Sequence, residues 1–168
     1  IVIKAATFTP HTCMRIADIY KEAGLPDGVI NIVTCSRNEA EIFLSHPDIK
    51  GITFVGSTSV GKHIYSQAAA SGKRVQALCE AKNHALVLED APIERTAAGI
   101  INASFGCAGE RCMALPVVVV QESIADELVA AIVKKAKELK VGPAYDKTTG
   151  LGPVVNAKHR ESVVKWIE

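Results

Sequence analysis

The sequence lacks the features that mark membrane proteins and nucleic-acid-binding proteins. No apolar run approaches the ~20 residues that a bilayer-spanning helix needs. Lysine and arginine together number 19, against 18 aspartate and glutamate residues, so the net charge is only +1. A charge this small gives no support to binding of nucleic acid or of an anionic membrane surface. We therefore expect neither a nucleic acid nor a membrane as a partner.

Cysteine pairs and metal-ligand spacings are also lacking. The five cysteines are irregularly spaced, their number is odd, and no Cys-x-x-Cys pair occurs. This pattern argues against a disulfide framework and against a zinc site. The five histidines are scattered without the spacing of metal ligands. We expect no bound metal and a reducing compartment, either the cytoplasm or, in a eukaryote, the mitochondrial matrix.

The composition is that of a globular protein with a substantial core, because 48% of the residues are hydrophobic and 22% are charged. A length of 168 residues suffices for one ordinary domain or for parts of two. The sequence opens on the strand-like run Ile1-Val2-Ile3 without a methionine. From this opening we expect a piece of a longer protein.

The first eighty residues alternate short apolar runs with segments of helical period. Helices are predicted over about residues 10–23 (with Thr9 as N-cap and Gly24 as stop), over 37–45, and after Gly56-Ser57, where Val60, Ile64 and Ala68 share one face. The predicted strands are Ile1–Ile3, Val29–Val33, Ile52–Val55 and Arg74–Leu78. Strands separated by helices of this length predict right-handed crossovers and a parallel, doubly wound sheet of the α/β class.

The character of the sequence changes near residues 78–83, where we place a domain boundary between residues 1–80 and 81–168. Beyond it, short strands are predicted over Ala85–Leu88 and Val117–Val120, with helices starting near Pro92, after Val120 and near Ala157.

The stretch Phe105–Ala114 places Cys112 directly after Arg111, at the end of a turn of small residues. A neighbouring cation or helix terminus favours the thiolate, which is the nucleophilic form of cysteine. A buried structural thiol is the alternative that the local sequence leaves open.

The second informative stretch is Phe54–Gly61, where a predicted strand runs into Gly56-Ser57 and a helix begins. The amides and dipole at a helix N-terminus favour a phosphate, although many such turns bind nothing. Lys4 follows the first strand, where ligands collect in doubly wound sheets, and solvated surface is its simpler interpretation.

Taken together, these stretches resemble the aldehyde dehydrogenase superfamily. The order of Ile3-Lys4, Gly24–Val29, Phe54–Gly61 and the Cys112 turn fits over all 168 residues. Gly72–Ala77, Ala81–His84 and Phe105–Ala114 are most similar to the methylmalonate-semialdehyde dehydrogenase branch. The resemblance implies an NAD-binding part (residues 1–80) and the start of an α/β catalytic domain (residues 81–168).

The resemblance also implies roles for individual residues. Cys112 matches the nucleophile that forms a thiohemiacetal and then a thioester, and Arg111 would hold the carboxylate of a semialdehyde substrate. The residues that match cofactor-binding positions for NAD are Lys4, Phe54, Gly56, Ser57 and Cys79.

Leu78 stands where hydrolytic members of the superfamily carry a glutamate that activates water. A leucine cannot remove a proton, so the thioester is expected to await coenzyme A, with loss of carbon dioxide to give acetyl-CoA or propionyl-CoA.

Three departures from the family pattern concern the cofactor site: Ala5, Thr7 and the pair Cys79-Glu80. They keep two alternatives open, a hydrolytic enzyme with Glu80 as base and a degenerate module without catalysis. The resemblance further implies a homo-oligomer, a dimer or tetramer at full length. It places an oxyanion-hole asparagine upstream of this chain and a second ribose-binding glutamate downstream. We therefore expect the 168-residue chain alone to be inactive, since losing one oxyanion donor costs about 10²–10³ in rate.

Overall fold

The computed structural model describes all 168 residues, which form two compact units, Ile1–Glu80 and Ala81–Glu168. Their boundary along the chain, between residues 80 and 81, agrees with the boundary predicted from the sequence. Their assignment to a cofactor-binding and a catalytic domain stays a prediction. None of the helices is long and apolar enough to cross a membrane.

The first unit alternates strands and helices as the α/β pattern predicts. Its strands are β1 (Val2–Lys4), β2 (Asn31–Val33), β3 (Gly51–Val55) and β4 (Arg74–Leu78). Its helices are α1 (Pro10–Glu22), α2 (Arg37–Ala40), α3 (Ile42–Ser45) and α4 (Thr58–Ala70).

Every strand pair of the first unit is parallel. β1 pairs with β2 and β3 pairs with β4, as two separate two-stranded sheets. A cavity of about 900 Å³ is lined by residues of both β1 and β3. β3 and β4 alternate between exposed and half-buried residues, which places Phe54 and Ala77 on the same side as α4.

Local signals explain where most of these elements begin and end. Gly24 follows α1 with φ +88, the left-handed conformation that ends helices. Thr9 occupies the N-cap position of α1, but its side chain makes no capping hydrogen bond, so the predicted cap is wrong in that respect. β2 starts two residues later than predicted, because Gly28 at φ +85 and a turn from Pro26 to Val29 precede it.

The single helix predicted over residues 37–45 is wrong. α2 and α3 are separate four-residue helices that meet at Glu41. A capping box formed by Ser36 and Glu39 fixes the start of α2.

The second unit contains one parallel strand pair covered by helices. Its elements are β5 (His84–Val87), α5 (Ile93–Phe105), a 3₁₀ turn (Gly106–Gly109), β6 (Val117–Val120), α6 (Glu122–Lys137) and α7 (Ala157–Ile167). β5 and β6 are parallel, with His84 opposite Val117 at one end of the pair and Val87 opposite Val120 at the other.

The core of the second unit lies between the strand pair and helices α5 and α6. Five apolar side chains are buried there: Val87, Ala97, Ile100, Leu128 and Ala131. They recur on one face of each helix, as the helical period of the sequence requires. α5, thus anchored, carries the Cys112 turn at its carboxyl-terminal end.

Candidate active site

The turn between β3 and α4 places a helix start beside the ends of two strands. β3 ends at Val55, and the Gly56 amide still donates to the Leu78 carbonyl at 3.1 Å, which extends the pairing with β4. Ser57 is the N-cap residue of α4, yet its side chain makes no capping hydrogen bond. The amino-terminal amides of a helix are therefore presented at the carboxyl ends of two parallel strands, where doubly wound folds bind ligands.

Gly56 in this turn and Gly61 in α4 are both tightly packed against other side chains. A Cβ at Gly56 would lie 2.6 Å from Cζ of Phe54. A Cβ at Gly61, one turn into α4, would collide with Sγ of Cys79. The side chains of Phe54 and Cys79 thus pack against the two glycines, which lets α4 lie close to the ends of the strands.

Lys4 is the last residue of β1, and it is half-buried. Its Nζ donates a hydrogen bond to Thr7 Oγ1 at 3.1 Å. Thr7 is one of the departures from the family pattern, and the structure shows that it still contacts the lysine. The ammonium group is held at the carboxyl end of its strand, where it can meet a polar ligand.

The end of β4 brings an acid onto the start of α4. Leu78 is 50% exposed and presents only an aliphatic side chain at the end of the strand. Two residues later, Glu80 Oε2 accepts a hydrogen bond from the Thr58 amide at 3.1 Å and another from the Thr58 hydroxyl. The hydroxyl and then the backbone hydrogen bond hold the pKa of Glu80 below its usual value.

The Cys112 turn departs from ordinary backbone geometry. Cys107 and Ala108, inside the 3₁₀ turn, have φ of +53 and +54. Non-glycine residues rarely adopt this left-handed region, and such strain concentrates at functional sites. Cys112 itself is exposed three residues after this turn. Exposure favours the reactive interpretation of Cys112 over the buried structural thiol.

Asn83 holds the backbone on both sides of Met113. Its Nδ2 donates hydrogen bonds to the Cys112 carbonyl at 2.9 Å and to the Ala114 carbonyl at 2.8 Å. Sequence reasoning used Asn83 only as part of a resembling stretch and missed this role. An amide side chain next to a predicted strand is the only feature of the sequence that points to Asn83. The local sequence does not predict its two hydrogen-bond acceptors, which lie 29 and 31 residues away.

Arg111 lies along the carboxyl-terminal end of α5. Its Nε donates to the Gly106 carbonyl at 3.3 Å and its Nη2 to the Asn102 carbonyl at 3.1 Å. A guanidinium there adds donors to carbonyls at the end of α5 and interacts favourably with the helix dipole. Arg111 is exposed, and these two bonds leave other donors of its guanidinium fork free.

Glu110 connects the same turn to the last helix. Its Oε1 lies 2.8 Å from His159 Nε2 in α7. The sequence did not predict this pair, since the two residues are far apart in the chain. Asn83, just ahead of β5, and His159 of α7 therefore both restrain the segment that carries Cys112.

The predicted site residues fall into two groups. The structure brings Phe54, Gly56, Ser57 and Cys79 together at the β3–α4 turn, and Lys4 ends β1 in the same unit. Arg111 and Cys112 are consecutive residues in the second unit. The roles assigned to both groups stay predictions.

Comparison with known proteins places these observations in a family. The Aldehyde dehydrogenase family profile matches residues 1–168, and the chain belongs to this family. It is 51% identical to malonate-semialdehyde dehydrogenase 2 of Geobacillus kaustophilus and 45% identical to malonate-semialdehyde dehydrogenase 1 of Oceanobacillus iheyensis. Each match covers 99% of this chain and 34% of the relative, so the chain spans about a third of their length.

Solved structures agree on the fold. The methylmalonate-semialdehyde dehydrogenase of Oceanimonas doudoroffii superposes with a TM-score of 0.91 at 41% identity. A protein from Sinorhizobium meliloti in complex with NAD superposes with a TM-score of 0.91 at 36% identity. Each covers 99% of this chain, which covers 34% of each of them. The α/β fold predicted from the sequence, of the aldehyde dehydrogenase type, is confirmed.

Proposed function

We propose that this chain is part of an enzyme that oxidises malonate or methylmalonate semialdehyde with NAD and passes the acyl group to coenzyme A. The family and the semialdehyde dehydrogenase relatives support the general chemistry. Because the chain spans a third of those relatives, the substrate, the cofactor and the co-substrate are all proposals for the whole protein.

Cys112 acts as the nucleophile in this proposal. Its sulfur, as the thiolate, forms a bond to the aldehyde carbon, and the carbonyl π electrons move to oxygen. The carbonyl then re-forms as a hydride leaves the carbon, which yields a thioester on Cys112. The restraints on the turn from Asn83 and from the Glu110–His159 pair support this role, because a nucleophile must be held in position.

The β3–α4 turn fits the diphosphate of a dinucleotide. Gly56 and Gly61 let the start of α4 pack closely against Phe54 and Cys79, and that helix start offers backbone amides and a favourable dipole. In this proposal NAD, when bound, accepts the hydride. Ser57 would contact the diphosphate, Lys4 would hold a ribose hydroxyl, and the backbone at Cys79 would lie near the nicotinamide. Glu80 is the one group at this turn whose charge opposes that fit.

The end of β4 is the observation that carries the choice of coenzyme A over water. Leu78 has no proton acceptor, and the Glu80 carboxylate is engaged by Thr58 with a lowered pKa. A carboxylate of lowered pKa is a weaker base, so Glu80 is a poor substitute for the missing glutamate. The thioester would then persist until the sulfur of coenzyme A attacks its carbonyl carbon and the Cys112 thiolate leaves.

A carboxylate on the substrate completes the proposal. Arg111, next to Cys112, has free guanidinium donors that suit a carboxylate of a short semialdehyde acid. Loss of carbon dioxide from the β-carboxylate leaves an electron pair on the α-carbon, which takes up a proton. The coenzyme A thiol gives up a matching proton when its sulfur attacks the thioester. Malonate semialdehyde, NAD⁺ and coenzyme A thus give acetyl-CoA, carbon dioxide and NADH.

An assay with and without coenzyme A tests the function. The full-length protein that contains this chain is mixed with malonate semialdehyde and NAD, and NADH is followed by absorbance. We expect one equivalent of NADH per active site without coenzyme A and continuous turnover with it. Continuous turnover to free acid without coenzyme A would support hydrolysis instead. No NADH under either condition would support a module without catalysis.

A further inference from the structure

The side chain of Glu80 links the end of one secondary-structure element to the start of another. It lies two residues beyond the end of β4, and Thr58 is the first residue of α4, which follows β3. Glu80 Oε2 accepts from both the amide and the hydroxyl of Thr58. The carboxylate therefore sits at the amino-terminal end of α4, within the unit that holds the candidate cofactor residues.

No other acid serves this helix end. The first turn of α4 contains no acidic residue, and Ser57 makes no capping hydrogen bond. A 13-residue helix concentrates partial positive charge on its first amides, and an anion there is stabilised. The hydroxyl and backbone hydrogen bonds from Thr58 lower the pKa of Glu80, which shows that these contacts favour its ionised form.

The same helix end is where the proposed function puts the diphosphate of NAD. A carboxylate and a diphosphate are both anions that only accept hydrogen bonds from these amides. Glu80 occupies the Thr58 amide, so a diphosphate at the same helix end loses that donor while Glu80 is in place. The like charges of the two anions also repel. Glu80 is exposed, so its side chain can swing into solvent when another anion takes its place.

We propose that the Glu80 carboxylate is a built-in competitor of the dinucleotide diphosphate at the start of α4, and that it lowers the affinity of the site for NAD. This inference rests on the proposed function, since it requires that NAD binds at the β3–α4 turn. It assigns to Glu80 a role in cofactor affinity instead of a role as base.

The test compares ligands with and without a diphosphate in the full-length protein. Dissociation constants of NAD, ADP and adenosine are measured by calorimetry for the wild type and for Glu80→Gln, which removes the charge and keeps the size. We expect NAD and ADP to bind roughly 3- to 10-fold more tightly to Glu80→Gln, as expected for one charge at a helix terminus. Adenosine, which has no phosphate, should bind both proteins equally.

Glu39→Gln is the matched control. Glu39 also accepts hydrogen bonds at the start of a helix, from Ser36, and its pKa is also lowered by them. Its helix, α2, is not the one proposed to bind the diphosphate. We expect Glu39→Gln to leave the affinity for NAD and ADP unchanged, which separates a local effect of Glu80 from a change in net charge.

The outcomes distinguish this inference from the function on which it rests. If the wild type binds NAD and Glu80→Gln binds NAD and ADP no more tightly, the competition is refuted and the proposed function stands. A gain in affinity that Glu39→Gln reproduces equally would also refute it. If neither the wild type nor Glu80→Gln binds millimolar NAD, the proposed cofactor is wrong, and this inference falls with it.

Discussion

The amide nitrogen of Asn83 lies 2.9 Å from the carbonyl oxygen of Cys112 and 2.8 Å from that of Ala114. A single side chain, just ahead of β5, thus fixes the peptide that follows the proposed nucleophile. Cys112 is exposed and carried on an irregular segment, so its position depends on contacts of this kind more than on a helix or strand.

Replacing Asn83 by alanine should therefore weaken both the fold and the positioning of Cys112. The exposed Cys112 carbonyl and the partly buried Ala114 carbonyl lose their donor, and the free energy of unfolding should fall by about 1–3 kcal/mol. If Asn83 positions the thiol, kcat should fall while the KM for aldehyde changes little. Denaturant unfolding and steady-state kinetics of the full-length protein measure the two effects. A stability loss with kcat unchanged would limit Asn83 to a structural role.

The roles of the two neighbouring exposed cysteines can be separated by substitution. Cys112→Ser should lower kcat by at least about 10³-fold, because a hydroxyl is a far poorer nucleophile than a thiolate. Cys107→Ser is the control, since Cys107 is exposed in the same segment and its left-handed backbone is kept. Cys107→Ser should retain most activity. The assignment of Cys112 would be wrong if the two variants lost activity equally.

Regular elements were the part of the fold that could be predicted. The strand over Arg74–Leu78 and that over Val117–Val120 have the predicted bounds, because each is a short apolar or alternating run between turn signals. The break at Glu41 was missed, since residues 37–45 keep a helical pattern across it. A capping box visible in Ser36 and Glu39 marks only where α2 begins.

Contacts between distant residues could not be predicted in the same way. Candidate residues such as Cys112 and Ser57 were found because a motif places them at a turn. The hydrogen bonds of Glu80 to Thr58 span 22 residues, and nothing in the local sequence names that partner. The left-handed backbone at Cys107 and Ala108 was also invisible, because neither residue is glycine and tertiary contacts must impose it.

Close packing at Gly61 gives a prediction about two residues together. Gly61→Ala places a methyl group against Cys79 Sγ and should destabilise the protein by about 1–3 kcal/mol through overpacking. Cys79→Ala removes the sulfur and should recover part of that loss in the double variant. Thermal unfolding of the wild type, both single variants and the double variant measures the coupling. Strictly additive effects would show that Gly61 and Cys79 do not share this space.

The Glu80–Thr58 contact predicts a dependence of stability on pH. The pKa of Glu80 is lowered in the folded protein, so its ionised form stabilises the fold at pH values above its ordinary 4.5. That contribution should fade as pH falls below 4.5 through the lowered folded-state pKa. Urea unfolding of wild type and Glu80→Gln should show a difference in unfolding free energy at pH 7 that shrinks toward pH 3. A difference that grows in acid would contradict the contact.

Arg111 has two roles that one pair of substrates can separate. Arg111→Ala removes the donors to the Gly106 and Asn102 carbonyls and should cost about 1 kcal/mol of stability. If the guanidinium also binds the substrate carboxylate, kcat/KM for malonate semialdehyde should fall about 10²-fold, the size of a lost charge-assisted pair. Propanal has no carboxylate, so its kcat/KM should change several-fold at most.

Arg111→Lys sharpens the test, because lysine keeps the charge and loses the planar fork. For malonate semialdehyde we expect Arg111→Lys to recover only part of the lost kcat/KM. An equal fall for both aldehydes in Arg111→Ala would assign Arg111 to the turn alone, through its contacts with the end of α5. In that case the guanidinium would act by holding the segment ahead of Cys112, and the substrate carboxylate would need another partner in the full-length protein.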